Sequence, residues 1–387
     1  MNAMTRIVSD TPADARPPRA RPRETAPIRV LVVTDAWRPQ VNGVVRTLEW
    51  LRAETPAFGV ELIFLTPERF RTVGMPTYPE IRLALASPSS VYKIIDSLAP
   101  DAIHIATEGP LGFLARRYAL ARRRPFTTCY HTRYPEYVAA RAPAPLWLGY
   151  ALMRRFHAPA AATLVASESL RSELASRGFS NLRVWRRGVD TALFANASRA
   201  PLPWPRPVFL AVGRVAIEKN LEAFLSLDLP GTKVVVGEGP ARAALERKYP
   251  AAKFLGARAG AELATLYASA DALVFPSLTD TFGLVMVEAL AAGTPVAAFP
   301  AAAPMEILRG GECGALDADL RSAALAALRV DRAACRRHAA TRDMVASARS
   351  FLKNIADALA IKPLADRLAA FDAAGRDCGP KASARVT

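Results

Sequence analysis

The sequence predicts an α/β protein built from two doubly wound domains. Short apolar runs, rich in β-branched and aromatic residues, alternate with helical stretches along the 387 residues, and this is typical of parallel sheets buried on both faces. A proline-rich stretch at residues 201–207 divides the alternation into two series. The hydrophobic content of 51% over this length is enough for two cores of ordinary size.

Each series contains five predicted strands. They span residues 28–33, 62–65, 102–105, 126–130 and 163–166 in the first series, and 208–212, 233–236, 253–255, 272–275 and 295–299 in the second. We expect one domain over residues 28–190, a linker over 191–206 and a second domain over 207–343. Residues 1–27, rich in Pro, Arg and Ala and without an apolar segment of signal-peptide length, and residues 376–387 are expected to be unstructured.

The first strand ends at Thr34-Asp35, and the turn after it contains Asn42-Gly43. A helix is predicted from residue 44 onward. Because glycine lets a ligand approach the backbone closely, Gly43 is a candidate binding residue. A plain turn glycine is the alternative interpretation.

Polar residues follow two further strands of the first series. His131, one of four histidines, comes directly after the strand at 126–130, and the sequence Thr-Glu-Gly-Pro at 107–110 follows the strand before it. Parallel α/β folds bind ligands at the carboxyl ends of their strands. His131 is therefore a candidate site residue and residues 107–110 a candidate acceptor-side loop, although a structural role at a strand end is the alternative.

Two cations follow the first strand of the second series. Arg214 and Lys219 lie five positions apart and can converge on one diphosphate, the arginine as a fork and the lysine as a point charge. Solvated surface charges are the alternative. Gly237 and Gly239 follow the next strand and leave room for a nucleotide base to lie against the backbone. Neither domain has Gly-x-Gly-x-x-Gly in its first turn, which argues against a dinucleotide fingerprint.

The stretch at residues 276–296 is the most informative part of the chain. A strand runs into a polar turn, and a helix is predicted to begin near Gly283. The unpaired N–H groups and partial positive charge of a helix start favour an anion. Asp280 and Glu288 flank this start and can accept hydrogen bonds from hydroxyls, so the pattern predicts a ligand with central phosphates and a sugar at each end. The positions expected to line the anion site are Thr281, Phe282, Gly283 and Leu284.

This arrangement resembles the signature of retaining nucleotide-sugar glycosyltransferases of family 4, in which Glu, seven residues and Glu grip the donor. The first acidic position here is Asp280, one methylene shorter, and Thr-Asp-Thr-Phe-Gly is similar to a subgroup that contains mannosyltransferases and lipid glycosyltransferases. Asn-Gly-Val at 42–44, Gly-Arg to Glu-Lys-Asn at 213–220 and Gly-Glu-Gly-Pro at 237–240 also resemble family elements. The resemblance covers about residues 28–360 and implies the GT-B fold, with two Rossmann-like domains facing a central cleft.

The resemblance also implies roles for the candidate residues. His131 would lie near the transferred sugar, Asp280 would hold sugar hydroxyls and Glu288 the nucleotide ribose. Arg214 and Lys219, with the helix start, would stabilise the departing diphosphate, where charge develops in the transition state. The acceptor hydroxyl would attack from the leaving-group face, so that no enzyme nucleophile is needed.

Two further segments are interpreted through the same resemblance. Residues 344–375 are expected to form helices that cross back towards the first domain. Arg187-Gly-Val-Asp resembles an interdomain Asn-Gly-Val-Asp of the family with Arg in place of Asn. Because of this departure, we assign no ligand role to Arg187.

Metal and disulfide chemistry are not indicated. Asp317-Ala-Asp319 has a spacing used by metal-dependent glycosyltransferases of another fold, but it directly precedes an alanine-rich helical run, which favours a helix cap. The cysteines are scattered without Cys-x-x-Cys spacing, which fits a reducing cytoplasm; they are Cys129, Cys313, Cys335 and Cys378. We therefore expect no bound metal and no cofactor beyond the donor substrate.

The charge balance predicts anionic partners. The formal net charge is +16 and the pI is about 10.2, which implies attraction to polyanions. No nucleic-acid module is recognisable, so nucleic acid is not expected as a partner. No apolar run reaches the roughly 20 residues that a membrane helix needs. Basic residues crowd one predicted helix and flank the apolar stretch 146–150, which predicts either an anionic-membrane surface or a solvated basic face; they are Arg116, Arg117, Arg122, Arg123, Arg124, Arg141, Arg154 and Arg155.

The sequence therefore predicts a cytoplasmic or peripheral-membrane glycosyltransferase. It would move a hexose from a UDP-sugar or GDP-mannose to a hydroxyl acceptor, either a membrane lipid such as diacylglycerol or, as a GDP-mannose-dependent enzyme, a lipid or saccharide. A nucleotide-sugar epimerase and a non-catalytic polyanion-binding protein are the alternatives. The complete set of Arg214, Lys219, Asp280 and Glu288 argues against lost catalysis.

Overall fold

The computed structural model describes residues 26–40, 42–75, 78–139 and 145–374. Residues 1–25 of the predicted extension and the predicted tail at 376–387 lie outside the described residues, as do Arg141 and Cys378.

All ten predicted strands are confirmed, with ends shifted by at most two residues. The strands are β1 (Ile28–Val33), β2 (Val60–Leu65), β3 (Thr72–Met75), β4 (Tyr78–Ala84), β5 (Ala102–Ile105), β6 (Thr127–Cys129), β7 (Ala162–Val165), β8 (Leu182–Val184), β9 (Val208–Val212), β10 (Thr232–Val236), β11 (Lys253–Phe254), β12 (Ala272–Phe275), β13 (Val296–Ala298) and β14 (Gly314–Leu316).

Helices connect most of these strands, as expected for parallel sheets. They are α1 (Gly43–Glu54), α2 (Pro88–Leu98), α3 (Pro110–Ala121), α4 (Tyr134–Ala139), α5 (Leu146–His157), α6 (Glu168–Ser176), α7 (Thr191–Ala195), α8 (Leu221–Leu225), α9 (Arg242–Lys248), α10 (Gly260–Ser269), α11 (Leu284–Ala291), α12 (Ala302–Ile307), α13 (Leu320–Ala327), α14 (Arg332–Ala339), α15 (Met344–Leu359) and α16 (Lys362–Ala373).

The strands form two six-stranded parallel sheets, one in each half of the chain. The order is β2-β1-β5-β6-β7-β8 in the first and β11-β10-β9-β12-β13-β14 in the second, with β3 and β4 as a separate antiparallel pair. The order reverses at β1/β5 and at β9/β12. Because open α/β sheets bind ligands where the strand order reverses, these two points predict where the site lies.

Both sheets are buried on both faces, as the continuous apolar runs predict. In β1, Val30 and Val32 pack into one hydrophobic cluster while Leu31 and Val33 pack into the cluster on the opposite face. In β9, Val208 and Leu210 pack to one side and Phe209 and Ala211 to the other. The sheets therefore provide two rigid supports for the loops at their ends.

The chain crosses back to the first half at α15. Phe351 and Leu352 of this helix are fully buried in the same cluster as β1, and Trp185 Nε1 donates to the Ser347 carbonyl at 3.1 Å. The segment after β8 lies very close to the residues that precede α15: a Cβ on Gly188 would lie 2.0 Å from the Asp343 carbonyl oxygen. The segment that follows β8 is thus clamped beneath α15.

Among the residues that the structure describes, no helix is both long enough and apolar enough to span a membrane.

Candidate active site

The loops at the two reversal points contact each other across the cleft. Thr281 Oγ1, in the loop after β12, donates to the His131 carbonyl after β6 at 2.9 Å. A Cβ placed on Gly43 would lie 3.5 Å from Leu284 Cδ1, so the starts of α1 and α11 face one another. The predicted residues Gly43, His131, Thr281 and Leu284 therefore come together although they derive from both halves of the chain.

The helix predicted near Gly283 is α11, and Gly283 is its N-cap. Gly283 has a φ of 82° in the left-handed region, and no side chain caps the helix. The Met286 N–H donates to the Gly283 carbonyl at 3.0 Å, so the Leu284 and Val285 N–H groups are the ones that a ligand would use. Phe282 is only 8% exposed and packs into the core of the second half, and the Thr281 hydroxyl is already bonded. The candidate anion site would thus bind through the backbone.

Lys219 and Asp280 form an ion pair at the mouth of this anion site. Lys219 Nζ lies 2.5 Å from Asp280 Oδ1. Removal from solvent acts to lower the pKa of Lys219, but the Asp280 carboxylate and the Tyr137 phenol together outweigh it, so this pKa is raised and the lysine stays charged. Asp280 Oδ2 is buried and has no partner among the described residues. One carboxylate oxygen is therefore available to accept a hydrogen bond from a sugar hydroxyl.

Tyr137 of α4 is a site residue that the sequence analysis missed. Burial, partly offset by the Lys219 ammonium, raises the pKa of its phenol to about 12, and Asp280 and Arg214 are among the other groups that act on it. Tyr137 thus lies in the first half of the chain against the charged residues of the second. No local pattern marks it, since a tyrosine in a short helix is ordinary.

Glu288, predicted to hold the nucleotide ribose, is completely buried. Its Oε1 lies 2.7 Å from Arg46 Nη2 of α1, and its Oε2 accepts a hydrogen bond from the Tyr267 hydroxyl at 2.9 Å. Burial, and then the neighbouring Glu288 carboxylate, raise the pKa of Tyr267 well above its usual value, so it stays a donor. A ribose at Glu288 would share this carboxylate with Arg46 or displace it.

Gly237 and Gly239 serve loop packing. A Cβ on Gly237 would lie 1.8 Å from the Gly213 carbonyl oxygen, and a Cβ on Gly239 would lie 2.4 Å from the Val215 carbonyl oxygen. The Cβ direction of both glycines is therefore filled by the backbone on either side of Arg214, and contact with a nucleotide base stays a prediction. These glycines position the cationic loop whether or not a base contacts them.

His131 is held by Arg187, the residue to which the sequence analysis gave no ligand role. Arg187 Nη2 lies 3.1 Å from His131 Nδ1, and its guanidinium stacks over the Trp185 ring at 3.5 Å from the centroid. Burial, reinforced by Arg187 and then by His104, holds the pKa of His131 well below its ordinary value. The histidine is thus neutral.

The side chains of the loop at 107–110 make contacts inside the first half of the chain. The Asp35 carboxylate accepts hydrogen bonds from the Leu111 and Gly112 N–H groups at 2.9 and 3.2 Å and from Thr107 Oγ1 at 3.1 Å. Asp35 therefore caps α3 from the end of β1. Glu108 Oε1 lies 3.1 Å from His157 Nε2 in the interior, and an acceptor-side role for this loop stays a prediction.

Asp317-Ala-Asp319 is a helix cap, as predicted. Asp319 is the N-cap of α13, and its carboxylate accepts from the Arg321 and Ser322 N–H groups. In the part of the chain that the structure describes, no cluster of three or more His, Cys, Asp or Glu side chains has metal-binding geometry.

Several arginines of the basic cluster contact neighbouring helices, and both a membrane-binding surface and a solvated basic face stay predictions. Arg116 donates to the Phe156 and Arg155 carbonyls, Arg122 pairs with Asp96 at 3.1 Å, and Arg124 donates to the Pro100 carbonyl. Their long side chains reach acceptors at the ends of the adjacent helices. Arg117 and Arg123 remain exposed.

Two family models match the chain. The one described as Glycosyltransferase Family 4 matches residues 26–193, and the one described as Glycosyl transferases group 1 matches residues 206–330. The GDP-mannose-dependent alpha-mannosyltransferase of Mycobacterium tuberculosis is 31% identical over 319 residues, which is 75% of this chain and 83% of that protein. The sulfoquinovosyl transferase of Arabidopsis thaliana is 32% identical over 62% of this chain and 53% of its own length.

Other relatives and solved structures agree with these matches. The alpha-monoglucosyldiacylglycerol synthase of Streptococcus pneumoniae is 28% identical over 70% of this chain and 71% of its own. Anabaena HepE in complex with UDP and glucose superimposes with a TM-score of 0.62 at 16% identity, covering 85% of this chain and 100% of that one. At such identity the structural likeness shows the fold alone.

Proposed function

This chain belongs to glycosyltransferase family 4, and on that premise we propose that its donor is GDP-mannose and its acceptor a hydroxyl of a membrane lipid. The chain is a retaining glycosyltransferase of GT-B fold that moves a hexose from a nucleoside-diphosphate sugar. The single observation that carries the proposal is the convergence of Lys219, Asp280 and the uncapped α11 start on one cleft.

The donor assignment combines this chemistry with the names of relatives. Arg214, Lys219 and the first turn of α11 supply positive charge for a diphosphate, and Asp280 Oδ2 supplies an unpaired acceptor for a sugar hydroxyl. Relatives from Mycobacterium tuberculosis and Corynebacterium glutamicum that cover 75% of this chain are named as GDP-mannose-dependent. These names favour GDP-mannose over a UDP-sugar.

The proposed reaction exchanges one bond at the anomeric carbon for another. The bond from that carbon to the diphosphate oxygen breaks, the acceptor oxygen bonds to the same face, and the acceptor proton passes to the departing phosphate. Arg214, Lys219 and the α11 dipole would stabilise the negative charge that develops on the diphosphate. The protein supplies this charge from its own side chains and backbone, so we propose that no bound metal takes part.

A lipid acceptor is supported by an exposed apolar surface on the first half. It consists of exposed apolar side chains on α3 and α5, namely Phe113, Leu120, Leu146, Trp147, Leu148 and Leu152. The two helices touch, since the Phe113 and Phe156 rings lie 4.8 Å apart. Trp147 is 70% exposed, and the same two helices carry the exposed Arg117 and Arg155. Apolar and aromatic side chains beside arginines suit an anionic lipid interface, and we place the enzyme at the cytoplasmic face of a membrane.

A product survey tests the proposal. The protein would be incubated with a panel of UDP- and GDP-sugars and with vesicles of extracted membrane lipid, and the products analysed by mass spectrometry. We expect mannolipid from GDP-mannose, undiminished by a chelator. Hexosyl-diacylglycerol from a UDP-sugar would replace the donor assignment, and products found only with soluble saccharides would refute the lipid acceptor.

Vesicle sedimentation tests the apolar surface separately. Replacing Trp147, Leu148 and Leu152 with serine should weaken binding to anionic vesicles, while replacing the exposed Leu85 and Met305, which lie elsewhere, should not. Equal sedimentation of both variants would show that this surface does not meet lipid.

A further inference from the structure

Arg187 occupies an unusual place behind the candidate active site. It follows β8 in the segment clamped beneath α15, and its side chain is only 5% exposed. Its Nη2 atom lies 3.1 Å from His131 Nδ1 and 3.3 Å from Cys129 Sγ. Its guanidinium plane rests on the Trp185 ring, which is itself fixed by the hydrogen bond from Trp185 Nε1 to Ser347. The guanidinium is therefore rigidly held.

The contact with Arg187 determines where His131 carries its proton. A guanidinium has donors only, so His131 Nδ1 must accept the hydrogen bond. A neutral imidazole that accepts at Nδ1 carries its proton on Nε2. This Nε2 is buried and has no hydrogen-bond partner among the described residues. The Nε2–H group is therefore a buried donor for which the described residues supply no acceptor. Buried donors in proteins are normally hydrogen-bonded, so an oxygen of a bound ligand is expected to accept from it.

We propose that Arg187 is a positioning residue, which holds His131 as a neutral imidazole with its proton on Nε2. It thereby fixes which atom of His131 donates to the transferred sugar, the contact that the family resemblance implies. The inference rests on the proposed function for the identity of the sugar and on the structure for the state of the histidine. The acceptor would be a hydroxyl or ring oxygen, because the proton on Nε2 excludes a hydroxyl donating to that nitrogen.

The surroundings of His131 favour this neutral state. Arg187 faces it from the segment after β8, His104 faces it from β5, and Cys129 precedes it in β6. His104 is buried, which lowers its pKa to about 3 and leaves it neutral, and burial raises the pKa of the Cys129 thiol to about 11. Arg187 is therefore the cation that acts on His131, and together with burial it opposes a second positive charge on the imidazole.

A neutral donor suits the reaction better than a charged one. Positive charge develops on the anomeric carbon as the diphosphate leaves, and an imidazolium next to it would oppose that charge. The N–H of a neutral imidazole orients the sugar without that repulsion. Arg187, which substitutes for the Asn of the motif at this position, thereby contributes to turnover through His131 without touching the substrate.

The first test reads the histidine directly and needs no donor. In the ligand-free protein labelled with ¹⁵N, NMR should show the His131 resonance, assigned by its loss in His131→Gln, with Nε2 protonated and Nδ1 bare from pH 5 to 8. A proton on Nδ1, or titration within that range in the wild type, would overturn the proposal. Because no sugar is present, this outcome is independent of whether GDP-mannose is the donor.

The second test measures function in three variants. Arg187→Met should raise the pKa of His131 from its depressed value, although burial, the larger cause, still holds it below the ordinary range. The variant should lower kcat by about ten-fold or more, the scale seen when the partner that orients a metal-ligating histidine is lost. Its kcat should fall further as the pH is lowered. The donor KM should change little. Arg187→Lys, which keeps a donor, should recover part of kcat and the flat pH profile. Arg187→Met in the His131→Gln background should have no further effect on kcat.

These variants distinguish positioning from packing. If Arg187→Met has a lower melting temperature but an unchanged pH profile, or if its effect adds fully to that of His131→Gln, Arg187 is structural and the proposal is wrong. If Arg187→Met does not fold, the comparison of Arg187→Lys with wild type and the NMR of the wild type still decide the question.

Discussion

Removing the ion pair between Arg46 and Glu288 should uncouple the two halves of the molecule. Glu288 is fully buried, whereas the Arg46 side chain is about one-third exposed (31%), and the charged atoms lie 2.7 Å apart. Truncating one partner of a fully buried pair costs about 3–5 kcal/mol. Since water reaches Arg46 and the Tyr267 hydroxyl also donates to the carboxylate, we expect a smaller cost than for a fully buried pair, about 2–3 kcal/mol for Arg46→Met. Glu288→Gln keeps a polar group and should cost about 1–2 kcal/mol.

A double-mutant cycle measures the coupling. Urea unfolding of Arg46→Met, Glu288→Gln and the double variant should give a coupling energy of about 1–2 kcal/mol, since the two residues share one contact. The pair Arg38–Glu49 lies at 2.6 Å within the first half, and its two side chains are 62% and 32% exposed. It is the control without a buried partner and should give less than about 0.5 kcal/mol. A coupling for Arg46–Glu288 no larger than that of the control would refute the reasoning that this contact joins the halves.

Three further predictions concern charge, glycine packing and pH. Arg214→Gln should lower turnover by about 10²–10³-fold with little change in melting temperature, because it removes charge from the leaving group; near wild-type turnover would remove this residue from the mechanism. Gly237→Ala should destabilise the protein strongly, whereas Gly213→Ala should do so mildly. The two φ angles are nearly equal (146° and 143°), but only a Cβ on Gly237 would meet backbone, at 1.8 Å. Similar losses of melting temperature in the two variants would show that φ strain dominates. Burial lowers the pKa of His104 to about 3. Below about pH 6.5, His104 therefore gains a proton in the unfolded chain but not in the folded protein. The free energy of unfolding should then fall by about 1.4 kcal/mol for each pH unit from pH 6.5 towards 3. The slope of stability against pH should be smaller by that amount in His104→Gln, and an unchanged slope would contradict the assignment.

The sequence predicts the sheets well because their strands are buried on both faces. Strands such as Ala102–Ile105 and Ala272–Phe275 are continuous apolar runs and are found at the predicted residues. Leu182–Val184 and Gly314–Leu316 were missed, since each is three residues long and only half buried at a sheet edge. The antiparallel pair β3–β4 was missed because it belongs to neither parallel sheet.

The candidate site was predictable only for residues that lie in the loop directly after a predicted strand. Lys219, Asp280 and Gly283 lie in the two loops at one reversal point, so local pattern was enough to bring them together. Arg46 and Tyr137 belong to the other half of the chain, and their contacts depend on how the two halves meet. Arg187 was set aside because its residue type departs from the motif, whereas its contact with His131 becomes visible only once β8 is clamped beneath α15.

The stereochemistry of one product shows whether the chain is a retaining mannosyltransferase that acts on lipid. GDP-mannose labelled with ¹³C at C1 would be incubated with the enzyme and anionic lipid vesicles, and the lipid fraction examined by NMR. The account predicts a single α-linked mannolipid formed by wild type and lost in Asp280→Asn, whose side chain would no longer match the charge of Lys219. A β-linked product, or label that appears only as free mannose in the aqueous phase, would contradict it.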